Sequence, residues 1–423
     1  VEYRGIFIND EEELEHWVWR YMGETTIGVK TYEKIFELLL RLKLNYIWPA
    51  MHVNSFNLKQ ENGALANRMG IVVGTSHCDM LMRSNNREWK PWLAKKGYTD
   101  VEYDFSIPGR NREILKEYWR ESVEQNRDFE VSYTVGMRGI HDSGFETKSL
   151  EGLTGEKLLK AKIELLESVM AAQKEILSET LDTEPMKTFV PYKEVLELYD
   201  NGLKVPEDLT LIWTNDNYGY VRRYPGEKEK ARKSGNGIYY HISYWGRPHS
   251  YLWLATNHPA QLYTQMKLAY DKGAQDMWIL NVGDIKPSEY LTELFLDMAW
   301  DINAIENNIN GLDKHLYSWL SREFGKKNAK ELLPVMNEYY RLAYIRKPEF
   351  MGNTRIEEKD PKYKIISDLP WSEKYIKQRI KEYETIAAKV TSMSQKVAPD
   401  KQFVWFQSVS YTHLRAHETL ANL

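Results

Sequence analysis

The chain has 423 residues, of which 42% are hydrophobic and 28% are charged, a composition typical of globular proteins. Its net charge of −4 gives no indication of a nucleic-acid or membrane partner. Cys78 is the sole cysteine, which excludes an internal disulfide and a zinc site built on cysteines. No apolar run reaches the roughly 18 residues that a transmembrane helix requires.

Residues 1–8 read V-E-Y-R-G-I-F-I and have the pattern of a β-strand rather than that of a signal peptide. Because the chain starts within a strand, we expect it to be a fragment whose upstream part is missing. Aromatic residues make up 13% of the sequence, with 14 Trp and 28 Tyr. Sugar-binding clefts use aromatic rings and hydroxyls, but large protein cores use them as well.

Short apolar runs alternate with helical patterns over roughly the first 300 residues. Eight such runs occur, and each is followed by polar or small residues. The alternation predicts a parallel sheet, and eight strands predict an α/β fold of the (β/α)8 TIM-barrel type, with a doubly wound open sheet as the alternative. The predicted strands are residues 5–8, 46–50, 71–74, 133–136, 188–191, 210–213, 238–242 and 277–280.

Helical periodicity is clear at residues 32–44 and 156–177, and from about residue 301 the pattern is helical alone. Residues 312–324, 329–345 and 373–394 predict an all-α helical bundle, and residues 346–370 predict a linker or a segment that faces a partner. The predicted domains are a catalytic barrel at 1–305, the bundle at 306–400 and a truncated tail at 401–423. From about Ser408 the tail resembles translated adapter sequence, so we interpret it as non-native and assign it no function.

Polar residues are concentrated where the predicted strands end. In the stretch L-T-L-I-W-T-N-D-N-Y-G-Y at residues 209–220, a buried-strand pattern changes at once to a polar cluster. Such a cluster either holds a ligand at the carboxyl end of a parallel strand or caps the following helix. Comparable clusters follow the other predicted strands, and in a barrel all of them converge on one face. Taken together, they favour a catalytic face.

Two chemistries fit these clusters. Paired carboxyl groups for glycoside hydrolysis could come from Asp10, Asp142, Glu194 and Asp216. A metal that activates water could be bound by His52, His77, His241 and Asp142. The histidines lack H-x-H and H-E-x-x-H spacing, so we predict no metal and no other cofactor. Arg138 either neutralises the acids or binds the carboxylate of an acidic sugar.

The motifs as a set resemble glycoside hydrolase family 115, the xylan α-glucuronidases. The resemblance lies in R-G-I-F-I-N-D-E at 4–11, Y-I-W-P-A-M at 46–51, G-I-V-V-G-T-S-H at 70–77 and T-V-G-M-R-G at 134–139. It continues with V-P-Y-K-E-V at 190–195, W-T-N-D-N-Y-G-Y-V-R-R at 213–223, G-I-Y-Y-H at 237–241 and N-V-G-D-I-K-P at 281–287. These pieces follow the family's order from residue 1 to about 400.

The resemblance implies a (β/α)8 domain followed by a helical domain, with further domains missing at both ends. It implies the inverting release of (4-O-methyl-)D-glucuronic acid that is α-1,2-linked to xylose in glucuronoxylan or aldouronic oligosaccharides. Secretion or a periplasmic location would be expected from the family, and a homodimer formed through parts outside the barrel is compatible with it. The implied substrate-binding residues are Asn9, Asp10, Trp48, His77, Arg138, Asn215, Asp216, Asn217, Tyr239, His241, Tyr244 and Asn281.

Glu194 and Asp142 are the catalytic residues that the resemblance implies. We assign Glu194 as the general acid, because a carboxyl group beside Lys193 and Tyr192 can be buried and held protonated. Asp142 is the base, although the two roles could be exchanged. Asn215 stands where family members often have an acid, and an amide cannot act as a base. A non-catalytic acidic-sugar-binding barrel is therefore the main alternative, and a metal-dependent hydrolase is the second.

Overall fold

A computed structural model describes residues 1–9, 13–140, 142–246, 250–252, 254–350, 369–410 and 413. Across these residues eight strands form one sheet, and each of the eight predicted runs contains or overlaps a strand. The strands are β1 (Tyr3–Ile8), β2 (Tyr46–Trp48), β3 (Val72–Val73), β4 (Ser132–Thr134), β5 (Met186–Phe189), β6 (Thr210–Thr214), β7 (Asn236–His241) and β8 (Met277–Gly283).

The strand order is β3-β2-β1-β8-β7-β6-β5-β4, so β3 and β4 are the two ends of the sheet. A parallel bridge between Val73 and Val131 brings these ends together, and the hydroxyl of Thr134 donates a hydrogen bond to the carbonyl of Thr75. The eight parallel strands therefore form a nearly closed barrel. The predicted (β/α)8 barrel is confirmed, and the open sheet is excluded.

Helices separate the strands and continue after the last one. They are α1 (Glu13–Trp17), α2 (Val29–Arg41), α3 (Gln60–Arg68), α4 (Asn85–Lys96), α5 (Arg110–Asn126), α6 (Gly155–Thr180), α7 (Glu194–Asp200), α8 (Glu227–Lys230), α9 (Pro259–Asp271), α10 (Glu289–Trp300), α11 (Gly311–Phe324), α12 (Lys326–Ile345), α13 (Glu373–Ser394) and α14 (Gln402–Trp405). Within the described residues, no helix combines the length and apolar character needed to cross a membrane.

The periodic apolar positions explain which helix faces are buried. In α2 the side chains of Tyr32, Ile35, Phe36 and Leu39 are buried at spacings of three, one and three residues, which is one face of a helix. Aromatic and aliphatic side chains from the strands and from the segment after β5 form a core cluster. Its buried members are Tyr46, Trp48, Val72, Val190, Tyr192, Ile212, Tyr239, Met277 and Ile279.

The chain divides into two compact units. The first comprises Val1–Thr214, Arg222–Tyr239 and Asp271–Ile279, and it contains the core cluster described above. The second comprises Asn215–Val221, Tyr240–Tyr270 and Leu280–Leu423. In the second unit α11 packs on α12 and α12 packs on α13, as the helical pattern predicts. The predicted domain boundary near residue 305 stays a prediction.

The end of the chain contains an element that the sequence pattern does not predict. Residues Phe406–Ser410 form a π-helical turn, although the sequence from Ser408 shows no helical pattern. Val409 is fully buried, and the ring of His413 lies 4.6 Å from the ring of Tyr339. The turn packs on α13, so tertiary packing shapes it where local periodicity is weak. The interpretation of the tail as non-native stays a prediction.

Candidate active site

The predicted site residues fall into two clusters, one in each unit. The first cluster is centred on the guanidinium of Arg138, which follows β4 and is only 4% exposed. Its Nε and Nη2 donate to Oε1 and Oε2 of Glu194, both at 2.9 Å. Its Nη1 donates to Oδ1 of Asp142. One arginine therefore joins the two carboxylates that the sequence assigns to catalysis.

Asp142 has two further partners. His77, which follows β3, has its Nε2 3.0 Å from Oδ1 of Asp142. Because an ionised carboxylate can only accept, this Nε2 carries the proton and donates it. The ammonium of Lys193 donates to Oδ2 of Asp142 and lies 5.3 Å from the centre of the Tyr192 ring. Asp142 is thus surrounded by donors, two of them cationic.

These contacts set the protonation states of the cluster. Burial alone would raise the pKa of Asp142, but the hydrogen bond that it accepts from His77 and the positive charges of Lys193 and Arg138 outweigh burial and hold that pKa well below its usual range. Burial lowers the pKa of His77, which the Asp142 carboxylate only partly opposes. His77 is therefore neutral near pH 7 and acts on Asp142 as a hydrogen-bond donor, while Arg138 and Lys193 supply the positive charge.

Local backbone geometry explains how these side chains meet. Gly136, between β4 and Arg138, has a φ of 128°, which is open to glycine but rarely to other residues. Buried Gln173 of α6 accepts from its N–H and donates to its C=O, both at 2.8 Å. Lys193 precedes α7 with a φ of 53°, an unusual conformation for a non-glycine residue. The turn orients Lys193 towards Asp142.

The expected environment of Glu194 needs correction. The sequence predicts that Lys193 and Tyr192 bury its carboxyl group and hold it protonated. Instead, Lys193 contacts Asp142, and Glu194 is 27% exposed and bound bidentately by Arg138. Charge-assisted bonds of this kind stabilise the carboxylate form. Lys193 itself was not among the predicted site residues, although its position immediately before Glu194 is a signal that could have identified it.

Other predicted residues of the first unit pack around this cluster. The ring of Tyr239 lies 6.1 Å from His77 and 5.0 Å from Trp48. Trp48 is fully buried and donates from Nε1 to the hydroxyl of Tyr46 at 2.9 Å, so this structure gives it a packing role rather than a sugar-facing one. Asn9 is buried at the end of β1. Asp10 lies outside the described residues.

The second cluster follows β6 and β7 and depends on the buried amide of Asn215. Its Oδ1 accepts from the backbone N–H of His241 at 2.9 Å and from the ring Nδ1 of His241 at 2.8 Å. This double acceptor fixes both the orientation and the tautomer of the imidazole. The ring of Tyr244 lies 4.7 Å from that of His241. Asn215 is thus a positioning residue for His241.

The acid of this stretch, Asp216, also organises the backbone around it. Oδ1 of Asp216 accepts from the N–H groups of Tyr218 and Tyr220 at 2.9 and 3.0 Å, which is an Asx-type turn. Asn217 is buried. Asn281 lies within β8, where its Oδ1 accepts from the N–H of Gly283 at 3.0 Å. The cap-like alternative for Asp216 therefore accounts for these two hydrogen bonds.

A segment after α12, residues 347–350, supports the loop that carries His241 and Tyr244, and sequence reasoning missed it. The ammonium of Lys347 donates to Oδ1 of Asn257 at 2.7 Å, and Asn257 in turn donates to the carbonyl of His241 at 3.0 Å. Glu349 accepts from the N–H of Leu252 at 3.0 Å. No pattern within residues 346–370 distinguishes these anchors from an ordinary polar linker.

The metal alternative gains no support from the described residues. His77 and Asp142 meet, but the described part of the chain contains no group of three or more His, Cys, Asp or Glu side chains that could hold an ion. His52 contacts the side chain of Asn86 instead. His141, which follows the same strand as Asp142, lies outside the described residues.

Comparison with known proteins identifies the family. The model of glycosyl hydrolase family 115 matches residues 1–350, which is most of the chain. The chain belongs to glycosyl hydrolase family 115. The resemblance found in its motifs is thereby confirmed.

Solved structures extend this result. The family 115 chain is 44% identical, with a TM-score of 0.89, to a protein described as a family GH115 4-O-methyl-α-glucuronidase with specificity for decorated arabinogalactans. That match covers 99% of this chain and 54% of the other, so this chain spans about half of its length. No curated protein sequence matches the family 115 chain significantly.

A second solved structure resembles the family 115 chain in its fold only. It is described as a GH138 enzyme targeting pectin rhamnogalacturonan II, and it has 11% identity and a TM-score of 0.52. The match covers 99% of this chain and 56% of that one. At so low an identity the likeness concerns the arrangement of strands and helices and not the substrate.

Asp142→Asn should destabilise the protein in a pH-dependent way. Because the folded-state pKa of Asp142 is lowered, its ionised form stabilises the fold above the unfolded-state pKa of about 3.9, and this contribution is lost as the pH falls. The difference in unfolding free energy between wild type and variant should be constant above about pH 5 and shrink by about 1.4 kcal/mol per pH unit below about pH 4. Urea unfolding of both proteins at a series of pH values measures the difference and its dependence on pH.

The matched control for this variant is Asp182→Asn, because the Asp182 side chain is 94% exposed. It should change the unfolding free energy little at any pH, since exposed ion pairs contribute little. A destabilisation by Asp142→Asn that stayed constant down to about pH 3 would contradict a lowered pKa for Asp142.

Asn215→Leu should destabilise the protein by about 1–3 kcal/mol, because it leaves a buried N–H and a ring nitrogen of His241 without their acceptor. Asn215→Asp keeps an acceptor oxygen at the same place and should cost less. Urea unfolding gives the free energies, and NMR of the imidazole nitrogens reports the tautomer. Equal stability of the leucine variant and wild type would show that the Asn215–His241 bonds do not matter.

Proposed function

We propose that this chain forms the catalytic part of a glycoside hydrolase that releases α-linked (4-O-methyl-)D-glucuronic acid. The observation that carries this proposal is the pair of carboxylates, Glu194 and Asp142, held by the buried guanidinium of Arg138. Glycosidases use two carboxyl groups that flank the scissile bond. The cations beside them, Arg138 and Lys193, suit a substrate that carries its own carboxylate.

In the proposed reaction Glu194, in its protonated form, donates its proton to the glycosidic oxygen as the bond to the sugar breaks. The Asp142 carboxylate removes a proton from a water molecule, which attacks the anomeric carbon from the opposite face. His77 orients Asp142 through its Nε2–H. The anomeric configuration is inverted, and the protons gained and lost by the two carboxyl groups balance over the cycle.

Two sugars are candidates for the group to which the uronic acid is linked. The family resemblance favours xylose that bears an α-1,2-linked uronic acid, in glucuronoxylan or aldouronic oligosaccharides. The 44% identical neighbour is described as specific for decorated arabinogalactans, which favours a branched galactan carrying the same terminal sugar. Both candidates place the same uronic acid at the scissile bond, so the two carboxyl groups would act in the same way on either.

The position of Asn215 bears on the non-catalytic alternative. That alternative supposes that the chain lost its base where Asn215 stands. Asn215 is buried, and its oxygen accepts from His241, while Asp142 and Glu194 lie at the ends of other strands. Proton transfer can therefore be assigned without an acid at position 215.

Glu194→Gln and Asp142→Asn should each lower the release of glucuronic acid by about 10²–10⁴-fold, the contribution typical of a positioned acid or base. Release from glucuronoxylan oligosaccharides and from decorated arabinogalactan should be measured in parallel. Circular dichroism should show that both variants fold. Glu156→Gln, an exposed residue of α6, serves as the matched control and should keep full activity. Full activity in either test variant would remove that residue from the mechanism.

Proton NMR during hydrolysis should detect the β-anomer of the uronic acid first, because inversion of an α-linkage yields β product. Mutarotation then forms the α-anomer more slowly. If the α-anomer appeared first, the enzyme would retain configuration, and one of the two carboxylates would have to act as a nucleophile instead of a base.

A further inference from the structure

The guanidinium of Arg138 is fully engaged by the protein's own carboxylates. Its Nε and Nη2 form the bidentate edge that recognises carboxylates, and Glu194 fills this edge with two bonds of 2.9 Å. Nη1 is bound to Asp142. Arg138 is also 4% exposed, so a ligand reaches the bidentate edge only if Glu194 leaves it.

We propose that the carboxylate of a uronic acid displaces Glu194 from Arg138, and that the displaced Glu194 takes up a proton and thereby becomes the general acid. This exchange rests on the proposed function, since it needs a uronic acid as its ligand. It explains how a glutamate that starts as a bound carboxylate can donate a proton later. Binding of the substrate thus converts Glu194 into its protonated form, which can act as the general acid.

The charges of the cluster support this exchange. Arg138 and Lys193 are positive, Asp142 and Glu194 are negative, and His77 is neutral because burial lowers its pKa. These charges sum to zero. A uronate would add one negative charge, and one proton on a carboxyl group restores the balance. When carboxyl groups lie close together, the charge of one favours the protonated form of the other.

Glu194 is the group best placed to take that proton. Arg138 is its only hydrogen-bonding or ionic partner among the described residues, so displacement removes all of its stabilising contacts there. Asp142 would still hold His77 and Lys193, and its pKa starts well below the usual range. Glu194 is also 27% exposed, which gives solvent access to its carboxyl group.

The steps balance over one turnover. Glu194 takes a proton from solvent as the uronate binds, and it gives that proton to the glycosidic oxygen when the bond to the sugar breaks. Asp142 takes a proton from the attacking water and returns it to solvent. Release of the product uronate frees the Arg138 edge, and Glu194 binds there again as a carboxylate. Withdrawal of Glu194 would also make room between the two carboxyl groups, as an inverting reaction requires.

Calorimetric titration with D-glucuronate in buffers of different ionisation enthalpy measures the protons taken up on binding. We expect uptake of about one proton per site near pH 6.5, and therefore a Kd that rises about tenfold per pH unit between about pH 6 and pH 8. The methyl ester of glucuronic acid keeps the sugar ring but carries no charge. It should bind without proton uptake.

Two variants test whether the proton requires Glu194. Glu194→Gln should bind glucuronate without uptake, whereas the control Asp182→Asn, whose side chain is 94% exposed and lies outside the cluster, should still take up about one proton per site. Glucuronate binding without uptake in wild type, or uptake retained in Glu194→Gln, would overturn the exchange while leaving the hydrolase proposal intact. A failure of wild type to bind glucuronate would overturn both. Should Glu194→Gln not fold, the comparison of glucuronate with its methyl ester on wild type decides.

Discussion

The buried guanidinium of Arg138 is the charge on which the candidate site depends. Moving an unpaired charge out of water costs far more than a domain's net stability, so a guanidinium that is 4% exposed must have counter-ions. Glu194 and Asp142 provide them, and Lys193 offsets the second negative charge. In the proposed mechanism the counter-ions of a structural arginine are also the acid and the base. The proposed catalysis and the stability of the fold would therefore depend on the same few contacts.

The barrel supplies the rigid frame for this charge cluster. Each of its residues follows the carboxyl end of a strand, and short turns bring them together: Gly136 with Gln173 behind it, and the strained backbone at Lys193. In the second unit the same logic applies to neutral groups. Asn215 holds His241 by two bonds, and residues 347–350 support the loop through Asn257. Some of the polar residues that the sequence suggests as substrate ligands therefore position other residues by hydrogen bonding.

The sequence predicted the frame better than the contacts. Eight apolar runs followed by polar residues were enough for the barrel, and the periodicity of residues 312–324, 329–345 and 373–394 was enough for the later helices. Lys193 was missed as a partner of Asp142, because a positive φ cannot be read from residue type. Trp48 was expected to face a sugar, but an aromatic residue at a strand end can also complete a core. Asp216 caps a turn, which is one of the two roles that the sequence pattern predicts for this stretch.

Specificity for an acidic sugar would follow from the charges rather than from a larger number of contacts. A neutral glucoside has no group that can replace Glu194 on Arg138. If Glu194 became protonated while such a sugar was bound, Arg138 would lose half of its counter-charge in a buried position, and the cost would fall on the transition state. If Glu194 stayed on Arg138, it would have no proton to donate. In the proposed mechanism the neutral sugar would therefore react slowly even where its hydroxyl groups fit. The discrimination would then act on catalysis more than on binding.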